Sequence, residues 1–445
     1  MNRRVFMKSG AMALVTMGLT PSFLRRSVYG MELLQGAAAH GNRRGKVLIC
    51  IFQRGAADAL NVVVPHSEPA YYRMRPSIAV PRPVSGAAQA AIDLDGFFGL
   101  HPSLAPLKEL WDRGMLAPVH AVGSPSATRS HFDAQDYMES GTPDNKGTRD
   151  GWLNRYLATR GTCEECAAAS GAGRGGPSAG ERDDAGTAGD SPFRAVAMTP
   201  QTPRILEGPA PVIAMSNLDD FSIRTNGTEA ERIEALYRTG SADVVHAAGG
   251  EMFEAMSILK KANLQQYTPQ NGADYPRSPF GQHLKQIAQL IRADVGLEIA
   301  FADVGGWDTH VNQGGATGQL AARLDDFARS IHALVTDLGD RMADVAIMTM
   351  SEFGRTARQN GNGGTDHGHA GALFVVGGDV HGGRKVFGRW PGLEPEQLNE
   401  GRDLALTTDF RSVFSEVAAR HLGADKLEAI FPGFLNDRTK WLGIL

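Results

Sequence analysis

Residues 46–58 read KVLICIFQRGAAD, and they decide the fold. From Lys46 to Phe52 the chain is a continuous apolar run rich in Val, Ile and Leu, the pattern of a strand covered on both faces. The run breaks at Gln53-Arg54-Gly55-Ala56-Ala57-Asp58, a small-residue loop at the strand's carboxyl end. A doubly covered strand implies helices on either side of a sheet, and the rest of the chain supplies them.

Downstream, Ser103 is placed to cap a helix through Trp111, with Gly114 as its stop. Residues 117–122 read as a second buried strand, followed by a loop and a helix over 130–139. Short strands are expected at 194–198 and 212–215, and helical patterns at 229–237, 251–264 and 280–293. Residues 297–304 form a strand, 320–338 a long helix, 345–350 a strand and 373–376 another; Thr408 caps or precedes a helix to about 422. Strands alternating with helices predict an α/β fold, a mostly parallel central sheet with helices on both faces, as one domain over 46–445. In such sheets ligands bind beyond the carboxyl ends of the strands.

The 445 residues are 42% hydrophobic and 21% charged, ordinary for a globular chain. Lys plus Arg is 45 against 49 for Asp plus Glu, a net charge of −4, so no basic excess asks for nucleic acid. Residues 161–191 hold Gly, Ala, Ser and charge with almost nothing apolar, and read as a disordered surface insertion. Cys50 lies inside the apolar run as a core thiol. Cys163 and Cys166 sit in that insertion, where a loop disulfide or two free thiols outweigh a redox or metal motif for lack of flanking elements.

Residues 1–10, MNRRVFMKSG, match the Arg-Arg-x-Phe-x-Lys pattern of a twin-arginine signal, and 11–24 are moderately apolar. That stretch is too short to span a bilayer. Residues 1–39 are therefore expected to be a leader handled by the twin-arginine translocase, delivering a folded protein to the periplasm or beyond with no lasting membrane span.

The loops after the expected strands hold the most suggestive polar residues. They are Gln53, Arg54 and Asp58; Arg129-Ser130-His131-Phe132-Asp133; Gly305-Gly306-Trp307-Asp308-Thr309-His310-Val311-Asn312; Ser351-Glu352-Phe353-Gly354-Arg355; and Thr365-Asp366-His367-Gly368-His369. Carboxylates and neutral imidazoles together are donors that suit zinc, manganese or iron. Metal or anion binding is the reading these clusters favour over a structural one. Ser130, at a helix start, is either an N-cap or a nucleophile facing a phosphoryl or sulfuryl group, with Arg54, Arg129 or Arg355 gripping the anion. Trp307 is expected to pack over the sheet, and His101, His120 and His332 to be structural. Asp379 and His381 belong to a solvated turn.

The stretches FQRGAADALNVVVP, RSHFDAQDYMESG, GWDTH, MSEFGRT, GTDHGHA and LALTTDFRSV, with the leader, resemble the family catalogued as domain of unknown function 1501. That family is in turn similar to the alkaline phosphatase and sulfatase superfamily. The wider resemblance implies an alkaline-phosphatase-like sheet, a two-metal site at strand ends and a Ser or Thr nucleophile. By position, Gln53 or Asp58 would match the first strand-end carboxylate and Ser130 the nucleophile. Asp308 with His310 or Asn312 would be a ligand pair, Glu352 a further ligand, and His367 or His369 the late histidine. The set expected to converge is Asp58, Asp308, His310, Glu352, Asp366, His367 and His369 as metal ligands, with Ser130, Arg54 and Arg355 catalytic. The cofactor would be a divalent metal, zinc or manganese, and the substrate an anionic small-molecule or glycan ester. Departures are visible: Gln53 stands at the strand end, Phe353 follows Glu352 where that superfamily puts His, and one residue separates Asp308 from His310. They leave a second reading open, a catalytically degenerate binding or scaffold protein at the cell envelope.

Overall fold

The computed structural model describes residues 45–160, 191–218 and 267–445. The leader, residues 161–190 with Cys163 and Cys166, and the helices expected at 229–237 and 251–264 lie outside the described residues. Eight strands form the main sheet in the order β11-β5-β10-β9-β1-β8-β6-β7. They are β1 (Val47–Gln53), β5 (Leu116–Gly123), β6 (Ala195–Ala197), β7 (Ile213–Ala214), β8 (Ile299–Val304), β9 (Val345–Met350), β10 (Gly371–Gly377) and β11 (Thr408–Asp409). A small sheet joins β2 (Val63–Val64), β4 (Gly99–Leu100) and β3 (Ile92–Asp93).

The apolar run is the centre of the molecule. β1 lies between β8 and β9, parallel to both, with Cys50 opposite Phe301 on one side and Met348 on the other. Its side chains alternate between two cores, as a period of two requires. Val47, Ile49 and Ile51 face a core shared with α1 (Ala105–Asp112), α4 (Pro279–Arg292) and α5 (Gln319–Leu338). Leu48, Cys50 and Phe52 face the other, shared with α3 (Trp152–Arg160) and α6 (Phe410–Arg420). Burial in this core pushes the Cys50 thiol far above its ordinary value, so it is an inert core group.

The sheet is mostly parallel, as expected, with β10 reversed against β5 and β9. A parallel return needs a crossover element; residues 351–370 contain no helix, so the chain re-enters the sheet antiparallel. One consequence positions the site. The carboxyl ends of β1, β5, β8 and β9 and the start of β10 all lie along one edge. The four loops that join those points face one another there, that between β9 and β10 supplying two of the ends.

Of two expected helix starts, the Ser103 cap differs, and Thr408 precedes its helix without capping it. Residues 102–104 form a 3-10 turn in which His101 Nδ1 accepts the Ser103 N–H, so the helix starts later, at Ala105. Thr408 belongs to β11, and Asp409 caps α6 by accepting the Arg411 N–H. In both places a tertiary or neighbouring acceptor displaces the nearest hydroxyl. Among the described residues no helix is long and apolar enough to cross a membrane.

A buried ion pair ties two of the site-bearing loops together. Arg75, fully buried, donates to both oxygens of Asp58 at 2.5 and 2.9 Å and to the carbonyls of Thr356 and Ala357 at 2.9 Å each. Removing the cation leaves Asp58 as an uncompensated buried charge. Arg75→Met is therefore expected to lower the unfolding free energy by about 3–5 kcal/mol in urea titrations; unchanged stability would show that the pair does not hold these loops.

Candidate metal centre

Four side chains meet at the sheet edge, delivered by three different devices. His131 is the first residue of α2 (His131–Ser140), whose N-cap is Ser130, with Oγ 3.5 Å from the Asp133 N–H. Asp308 and His310 come from the turn after β8. That turn is anchored by Trp307, which is buried, donates Nε1–H to the Val304 carbonyl at 2.9 Å and packs edge-on against Phe327. Gly55 (φ +119°) lets the loop after β1 reach this turn, since a Cβ there would sit 2.7 Å from the Asp308 nitrogen. His367 comes from the loop before β10, where it bridges to Arg355.

The distances define a tight cluster. His367 Nε2 lies 3.0 Å from His131 Nε2 and 3.0 Å from His310 Nε2. Asp308 Oδ1 is 3.0 Å from His310 Nε2 and 3.2 Å from His367 Nε2, while its Oδ2 is 3.5 Å from His131 Nε2. His131, Asp308 and His367 present donor atoms all within 4.8 Å of one another, and His310 joins through its contacts with His367 and Asp308. Ligand atoms at about 2.0–2.1 Å from a tetrahedral ion stand about 3.3 Å apart, close to these separations.

The outer ring nitrogens explain why such crowding is unusual. His131 Nδ1 is 2.7 Å from Glu352 Oε1, His310 Nδ1 is 3.0 Å from Asp366 Oδ1, and His367 Nδ1 is 3.0 Å from the Arg129 carbonyl. Each of these partners is an acceptor, so each Nδ1 carries the hydrogen. A neutral imidazole then has only a lone pair at Nε2. Three lone pairs and a carboxylate consequently face one another with no hydrogen between them. Only a cation or added protons can hold them there. The arrangement matches that of metal-binding histidines, whose second nitrogen is fixed by a carboxylate or a backbone carbonyl.

Glu352 is the best-supported of these outer groups. It is buried and accepts from Gly55 N–H, Ala56 N–H, Gln135 Nε2, Ser351 Oγ and His131 Nδ1. Burial alone would raise its proton affinity, but the hydrogen bonds from His131 and Gln135 outweigh it and keep the carboxylate ionised below its usual value. Asp308 is likewise held below its ordinary value, burial being overcome by Arg355, whose Nη1 donates to Oδ1 at 2.6 Å. Asp366 is lowered by Asn360 and His310. Phe353, buried, lies 4.9 Å from the His131 ring and 5.0 Å from that of His367, giving both imidazoles an apolar floor.

Of the residues expected from sequence, the structure brings Asp308, His310 and His367 to the centre, with Glu352 and Asp366 one bond behind them. Arg355 touches the centre as the clamp on Asp308. Three lie apart. Asp58 is saturated by Arg75 and by Gln313 Nε2 at 2.6 Å, which leaves its oxygens engaged away from the cluster. His369 is half-buried, its imidazole lowered by burial, and makes no ring hydrogen bond among the described residues. Arg54 is spent on Asp303 and Glu139 at 2.7 and 2.6 Å and on Gln135 at 3.0 Å. Ser130 is the cap of α2, one residue from the centre. The sequence reading missed His131, although it stands beside Ser130 in the same motif. Its signal was three imidazoles in separate post-strand loops, masked there by the attention a helix-start serine attracts.

Fold and site together define an α/β protein with a histidine-rich centre, suited to a divalent ion, at the carboxyl edge of its sheet. The chain belongs to the family described as protein of unknown function (DUF1501), whose model matches residues 45–431. No curated protein and no solved structure matches it.

Without an ion, the carboxylates choose where protons go. The Glu352 hydrogen bond raises His131 above its ordinary value, and burial followed by the His131 charge lowers His367. In the metal-free protein the His131 contribution to stability is complete below about pH 6.5 and is lost as pH rises through its raised folded value. Histidine NMR titrations are expected to show His131 above and His367 below the ordinary value, and Glu352→Gln to bring His131 down. Superimposable titrations of the two rings would contradict the assigned hydrogen bonds.

Proposed function

We propose that the protein is a metal-dependent hydrolase or transferase of phosphate or sulfate esters, with one divalent ion, zinc or manganese, held by His131, Asp308, His310 and His367. The observation that supports it is the set of lone pairs converging with no hydrogen left to share. Three imidazoles and one carboxylate suit a borderline first-row ion better than magnesium or calcium, which prefer oxygen. A bound ion supplies Lewis acidity, polarising an ester oxygen and easing deprotonation of water. Among the described residues this is the one such group, and Asp58 is committed to Arg75, so the reading takes one ion rather than the two the superfamily resemblance implies.

The chain's own residues prepare the site. Glu352, Asp366 and the Arg129 carbonyl fix the three ring tautomers, and Arg355 aims Asp308. Asp308 and His310 remain about two-fifths exposed, which leaves the centre open to a substrate. Ser130 Oγ donates to no acceptor among the described residues and is the hydroxyl available for transfer. The twin-arginine motif supports export after folding, so the ion would be loaded before the protein crosses the membrane.

Purified mature protein is expected to hold about one zinc or manganese per chain by elemental analysis, and His131→Ala/His367→Ala to hold none. Proton competition sets the sign with pH: thermal stabilisation by the ion should grow above about pH 7 and vanish below about pH 5. On an arylphosphate and arylsulfate panel, turnover should disappear with a chelator, and Ser130→Ala separates transfer through the hydroxyl from attack by water. No metal after reconstitution sinks the proposal, and metal without turnover favours the binding-protein alternative.

A further inference from the structure

Four arginines stand near the centre and each is already engaged by carboxylates. Arg54 pairs with Glu139 and Asp303, Arg129 with Glu400 and Asp403, Arg355 with Asp308, and Arg402 with Asp403. None is free to take a substrate anion. Arg323 differs. It is the fifth residue of α5, is exposed, and makes no hydrogen bond or ion pair among the described residues.

Its guanidinium nevertheless has a defined place, against Gly306 of the turn that carries Asp308. A Cβ on Gly306 would stand 2.7 Å from the Arg323 guanidinium carbon and Nε and would push it aside, and φ +90° strains any other residue there. Gly306 precedes Asp308 by two residues, which limits their Cα separation to about 7 Å. Gly305 beside it is exposed, with open space where a side chain would go. The N–H groups of the exposed Gly305 and Gly306 donate to no protein acceptor among the described residues, while the nitrogens of Trp307 and Asp308 are covered by Gly55. A free fork of guanidinium donors beside two free backbone donors is an anion cradle. Of the carboxylates along the same helix and turn, Asp325 pairs with Arg329, Asp326 accepts from Ser278 and Asp308 accepts from Arg355.

We infer that Arg323 and the Gly305–Gly306 turn form the subsite for a tetrahedral oxyanion, the phosphate or sulfate of the substrate, beside the candidate metal centre. The inference rests on the hydrolase reading for its biological meaning, but the subsite is testable without turnover. Arg323 holds the anion in place and leaves the ion's ligands untouched.

Inorganic phosphate and sulfate are titrated calorimetrically into wild type, Arg323→Met, Arg323→Lys and Gly306→Ala, each both zinc-loaded and chelator-treated, with zinc content measured separately. Loss of one charge-assisted pair predicts roughly ten- to hundred-fold weaker binding in Arg323→Met with zinc content unchanged. Arg323→Lys should recover part of the affinity, as it retains the charge without the fork. Gly306→Ala should weaken binding by displacing the guanidinium. Wild-type affinity in Arg323→Met, with circular dichroism showing the variant folded, overturns the subsite and leaves the metal proposal standing. If wild type holds no zinc, the hydrolase reading fails, and the chelator-treated titrations still decide on Arg323.

Discussion

The structure turns on a repulsion that something must relieve. Glu352, Asp366 and the Arg129 carbonyl each claim one imidazole hydrogen, which leaves the Nε2 lone pairs of His131, His310 and His367 facing Asp308 across 3.0–3.5 Å. Lone pairs at that separation repel unless a proton or a metal ion lies among them. The outer acceptors are thus the determining feature: without them a ring could turn its hydrogen inward and the cluster would be an ordinary hydrogen-bond network. Burying Glu352 with five donors makes that choice rigid, since its carboxylate cannot take a proton cheaply or turn away.

The fold exists at this point to bring four loops to one line. Parallel strands share a carboxyl edge, and the reversed β10 adds its entry loop to the same edge. α2 fastens this edge from above through a stripe with helical spacing: His131, Gln135 and Glu139 lie at i, i+4 and i+8 on one face. Gln135 meets Glu352 and Arg54, and Arg54 meets Glu139 and Asp303. Glu139 is raised by burial to about 7, opposed by the charge of Arg54. The arginine expected to grip a substrate therefore locks the helix that carries His131.

The departures from the phosphatase and sulfatase pattern acquire physical roles. Phe353, at a position where that superfamily has histidine, is the apolar surface on which two ligand-type rings rest. Asp58 faces a guanidinium: Arg75 already supplies the positive charge its oxygens need. Both residues bear on the cluster: Phe353 lies against two of its rings, and Asp58 is held away from it by Arg75.

What the sequence by itself determined was the layered architecture and the neighbourhood of the site. The unbroken apolar run at 46–52 can only be satisfied by cover on both faces, and loops rich in Asp, His and Gly after strands mark the functional edge. Residues 345–350 were legible to the residue because β-branched and apolar side chains bounded by polar turns leave little freedom. Only the tertiary structure decided which polar residues touch. Asp58 and Asp308 look alike along the chain, each a carboxylate in a post-strand loop. A buried arginine 17 positions away claims the first, while the second meets the ring of His310 in its own turn and two more, His131 and His367, from distant segments. His131 was overlooked for the same reason. A ligand is defined by where its lone pair points and by what holds its other nitrogen, and both depend on contacts across more than two hundred residues of chain.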